Sequence, residues 1–88
     1  MNYQPTFFDV AADLKRCIYA SLSEGGFEDQ NAKEFLNHAL MIFKTLEATT
    51  NKQVLKIIKR SLHKAQDFKL DPQKRRENLL MAAVFLSF

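Results

Sequence analysis

The chain has one cysteine, two glycines, two prolines and no tryptophan in 88 residues, and each shortage narrows what it can be. A lone cysteine excludes an internal disulfide framework. The longest apolar run, LLMAAVFL at 79–86, falls far short of the roughly 18 residues that a membrane-spanning helix needs. The opening MNYQPTFFDV carries neither the basic start nor the long apolar stretch of a secretory signal. These absences predict a soluble protein of the reducing cytoplasm with no membrane association. The two adjacent glycines are too few for a phosphate-binding loop between a strand and a helix, and they read as a turn.

What is present is a folding sequence. Hydrophobic residues make up 47% of the chain and include eight Phe, too apolar for disorder. The length fits one domain, 1–88. A domain of this size buries only roughly 60–65% of its unfolded surface, so it is marginal and gains from a partner.

The few glycines and prolines fall between periodic segments, and no alternation marks a strand. The spacing predicts four helices. The first starts after Thr6, with Asp9 three residues on, carries Phe7, Val10, Ala11, Leu14, Ile18 and Leu22 on one face, and stops at Gly25-Gly26. The second runs from Asp29 to Glu47 with Ala32, Phe35, Leu36, Ala39, Phe43 and Leu46 as its stripe. Thr50 to Gln53 reads as a capping box opening a third helix that reaches Phe68. Asp71-Pro72 supplies an N-cap and a first-turn proline for the fourth. Short connections make neighbours antiparallel, giving an all-α, up-down four-helix bundle.

From Leu79 onward the fourth helix is apolar at every angle round its axis, with only Ser87 interrupting. Such a helix has to be covered on all sides and reads as largely buried. Its three neighbours can cover most of it and a second copy of the chain the rest, which predicts a homodimer.

Charge is divided along the chain. Residues 1–51 hold four Lys or Arg and seven Asp or Glu, net −3; residues 52–88 hold nine and three, net +6. In the segment KQVLKIIKRSLHK at 52–64, Lys52, Lys56, Lys59, Arg60 and His63 share about a third of the helix circumference, opposite Val54, Leu55, Ile58, Leu62 and Ala65. Solvated helix faces usually mix signs, since Glu-to-Lys pairs four residues apart add a few tenths of a kcal/mol and like charges subtract as much. A second cluster, Lys74, Arg75 and Arg76, lies in the first turn of the fourth helix, where the macrodipole disfavours cations by about 0.3–1 kcal/mol each. It is a candidate anion site, although Asp71 as N-cap would take up some of the exposed N–H groups.

Three readings of the stripe follow: a solvated face neutralised by the acidic half, a surface for an acidic protein partner, or a contact for the nucleic-acid backbone. A lone Arg among lysines, with no Asn or Gln beside it, suits phosphates rather than base edges. The absence of Phe or Tyr among the cations argues against stacking on single strands. Residues of catalytic type are sparse. Cys17 lies at the edge of a core stripe. Glu34 and His38 stand one turn apart without the further ligands a metal centre needs. His63 belongs to the cationic stripe. The sequence therefore predicts a non-enzymatic interaction module with no cofactor, metal or small-molecule substrate. Its cationic third helix would bind an acidic partner, the alternative being a nonspecific nucleic-acid binder.

Overall fold

The computed structural model describes residues 5–50 and 53–87. They form α1 (Phe7–Ala20), α2 (Gln30–Thr49), α3 (Val54–Ala65) and α4 (Pro72–Leu86), with one turn of 3-10 helix over Gly26–Glu28. No strand occurs among the described residues, and the chain is a small all-α four-helix bundle.

Local chemistry sets most of the helix starts. The Thr6 N–H donates to Asp9 Oδ2 at 2.6 Å, and its hydroxyl donates to the same oxygen at 3.1 Å. Asp29 caps α2 by accepting from the N–H groups of Asn31 (2.9 Å) and Ala32 (3.2 Å), and Asp71 caps α4 by accepting from Gln73 N–H at 3.1 Å. Pro72 follows in the first turn, where a missing N–H costs nothing. The start of α3 departs from the sequence expectation. Gln53, expected three residues beyond the cap, itself stands at the N-cap, and its side chain makes no capping bond. The Thr50 N–H, which the Gln53 side chain would have accepted, donates instead to Glu47 O at 3.3 Å, so that half of the expected box does not form.

Two helices end earlier than their periodicity predicts. α1 stops at Ala20 rather than at the glycine pair, leaving Leu22 62% exposed, and α3 stops at Ala65, leaving Phe68 80% exposed. In both cases the carbonyl at the end is taken up from outside the helix. Arg76 Nη2 donates to Ser21 O at 2.8 Å, and Arg75 Nε donates to Ala65 O at 2.7 Å. Gly26, at φ 57°, permits the left-handed step that folds the chain back into the 3-10 turn. Phe27 is thereby buried against the bundle.

α1 packs on α2 and on α4, and α4 packs on α3. The first turn of α4 lies at the last turns of both α1 and α3, so α4 is antiparallel to each. The molecule extends 36 × 31 × 18 Å, and its short dimension accommodates two layers of helices spaced 8–10 Å apart. Val10, Leu14, Cys17, Ala39, Phe43, Ile58, Leu62, Leu79, Ala82 and Ala83 form the centre of the core. Each large aliphatic there is worth about 1.5–3 kcal/mol relative to exposure. α2 and α3 make no comparably extensive contact, and the bundle stays open between them.

Candidate interaction surface

The cationic stripe lies on the outside of α3. Lys56, Lys59, Arg60, His63 and Lys64 are exposed, while Leu55, Ile58, Leu62 and Ala65 are buried beneath them. Lys52 lies outside the described residues. Lys59 Nζ donates to Glu47 Oε1 at 3.2 Å, so the acidic half of the chain does reach the stripe, at one position. Lys56, Arg60, His63 and Lys64 make no ion pair among the described residues. Lys56 and Arg60 are four residues apart, as are Arg60 and Lys64, a spacing that places like charges side by side. His63 and Lys64 sit in the last turn, where cations complement the helix dipole. Lys56 and Arg60 have no such compensation.

Beside the stripe, the open seam between α2 and α3 forms a groove of about 230 Å³. Leu40, Phe43 and Leu62 give it an apolar floor, and Lys44, Lys59 and His63 stand at its edge with Glu47. The groove was not legible in the sequence, because it arises from which helices fail to pack closely.

The second basic cluster divides. Lys74 is exposed, but Arg75 and Arg76 are half-buried and turn back into the molecule. Besides its bond to Ala65 O, Arg75 places its guanidinium 4.0 Å from the centroid of the Phe27 ring; Arg76 lies 5.6 Å from the same centroid. Arg76 Nε also donates to Ser21 Oγ at 2.9 Å, and the Ser21 hydroxyl donates onward to Ile18 O at 2.6 Å. The cations that look misplaced at the positive end of α4 thus stand at the negative ends of α1 and α3. Their planar forks suit carbonyls and ring faces, which lysine could not serve equally.

One polar group escaped the sequence reading. Asp13 is 4% exposed on the core side of α1. It accepts from Arg16 Nη1 at 3.0 Å and from His38 Nδ1–H across the α1–α2 interface. The signal was present, since Asp13 is three residues after Val10 and four before Cys17, both core positions. His38 therefore pairs with Asp13, while Glu34 accepts from the Gln30 side chain at 2.9 Å. Among the described residues no group of three or more His, Cys, Asp or Glu is placed to hold a metal, and no helix is long and apolar enough to cross a membrane. Cys17 is fully buried. Burial pushes its thiol up from 9.0 to about 11, with the nearby Arg75 guanidinium opposing part of the rise.

Compared with known protein families, curated proteins and solved structures, the chain matches none.

Proposed function

We propose that this protein is a small non-enzymatic interaction module of the cytoplasm, whose α3 face and adjoining α2–α3 groove receive an acidic, amphipathic segment of a protein partner. The observation that carries the reading is the exposed set Lys56, Arg60, His63 and Lys64, without a carboxylate partner among the described residues, beside a groove floored by Leu40, Phe43 and Leu62. The cations attract carboxylates at long range and set orientation, while the apolar floor supplies burial. Two residues of chemical type are engaged elsewhere: the Cys17 thiol is buried and held protonated, and His38 Nδ1 is engaged by Asp13.

A nucleic-acid backbone would use the same cations but has nothing to place on the apolar floor. With Lys59 paired and Arg75 and Arg76 turned inward, Lys56, Arg60 and Lys64 are the fully charged groups left free on the described α3 face. Three phosphate contacts imply only a roughly fortyfold loss of affinity between about 50 and 200 mM salt. The test is fluorescence anisotropy with two probes, a helical peptide carrying Leu on one face and Glu on the other, and a mixed-sequence DNA duplex. The peptide is expected to bind more tightly at both salt concentrations. A duplex bound more tightly than the peptide, or no peptide binding at about 50 mM salt, overturns the reading.

A further inference from the structure

α4 buries Leu79, Ala82, Ala83 and Leu86 within the chain, yet Leu80, Met81, Val84 and Phe85 on its other side remain between 38 and 51% exposed. The patch continues onto both neighbouring helices. Phe8 of α1, 65% exposed, lines the same shallow cleft as Phe85 and Val54. Ile57 of α3, 49% exposed, stands one turn before Ser61, whose hydroxyl lies 3.6 Å from Met81 Sδ. These six residues are close to half uncovered, which at about 150–250 Å² per large side chain leaves roughly 600 Å² of apolar surface in water. That is the upper end of what a soluble monomer usually shows.

We propose that this face docks a second copy of the same chain, with the two α4 helices antiparallel about Ala82 and Ala83. The face is self-complementary in that arrangement. A two-fold axis between Ala82 and Ala83 sets Leu80 against Phe85 and Met81 against Val84 in both directions, so the contact closes on itself. No charged residue occurs after Glu77, and the pairing of α4 with α4 brings no like charges together. Two such faces bury roughly 1,200 Å², the lower end of the range for stable specific interfaces. A partner chosen for its acidity would find no cation inside this patch. The inference is independent of the reading of α3, since none of the six residues belongs to the stripe or its groove.

Sedimentation equilibrium of the full chain from about 10 μM to 1 mM tests it. The apparent mass is expected to rise from 10.2 kDa toward twice that value. Val84→Glu, at an already exposed position, should weaken the dimer at least about a hundredfold by burying an unpaired carboxylate at the contact, with the helical circular dichroism unchanged. Lys56→Glu should leave the dimer intact. A wild-type mass that stays at 10.2 kDa over the whole range overturns the proposal. So does a Val84→Glu dimer as tight as wild type, or wild-type monomer that instead partitions onto phosphatidylcholine vesicles.

Discussion

Arg76 donates to both the hydroxyl and the carbonyl of Ser21, fifty-five residues earlier in the chain. This contact ties the first turn of α4 to the end of α1, and Arg75 ties it likewise to the end of α3 through Ala65. The three helices are therefore fastened at one end of the bundle by two side chains that local helix rules would place elsewhere.

Replacing Arg76 tests that fastening. Arg76→Met keeps much of the stem but leaves the buried Ser21 carbonyl without its donor, which is expected to cost about 1–3 kcal/mol. Arg76→Lys keeps the charge and should recover only part of the loss, because an ammonium cannot reproduce the planar fork. Urea unfolding followed by circular dichroism measures both. Equal stability of wild type and Arg76→Met would show that the contact contributes nothing.

The Asp13–His38 pair joins α1 to α2 with the carboxylate buried and the imidazole half-exposed. Asp13→Ala, His38→Gln and the double variant form a thermodynamic cycle, and a coupling of about 0.5–3 kcal/mol is expected. Additive losses would place the role of Asp13 in its bond to Arg16 alone.

Cys17 links stability to alkaline pH. Its thiol titrates at about 11 in the folded chain against 9.0 when freed of burial, so the native state holds the proton more tightly. Its contribution is complete below pH 9 and is lost as pH rises through about 11. Urea midpoints of wild type should therefore fall more steeply between pH 8 and pH 10.5 than those of Cys17→Ala, in which every other titrating group is retained. Parallel pH dependence in the two proteins would refute this.

The cations of α3 are expected to cost the fold something. Lys56→Glu converts a like-charge pair with Arg60 into an ion pair at four-residue spacing, and should raise stability by about 0.2–0.5 kcal/mol. Thermal unfolding at low salt reads this, and a destabilised variant would mean that Lys56 has a structural role the contacts do not show.

The architecture was largely legible in the sequence because capping residues and apolar periodicity are local signals. Asp29, Asp71-Pro72 and the stripe through Val10 and Leu14 mark their helices without reference to the rest of the chain. The ends of α1 and α3 were not legible, since they depend on where Arg75 and Arg76 reach, and those contacts span ten and fifty-five residues. The same limit applies to the surface. Residue types marked the stripe of Lys56, Lys59, Arg60 and His63, but the engagement of Lys59 with Glu47 and the open seam beside it depend on helix packing.

Charge reversal on α3 tests the central claim most directly. Titrating the labelled acidic amphipathic peptide with wild type and with the Lys56→Glu, Arg60→Glu variant at about 50 mM salt should show the affinity falling by at least about tenfold in the variant. Circular dichroism should confirm that the variant keeps its helices. Equal affinity of the two proteins for the peptide would contradict the account and leave the stripe a solvated face.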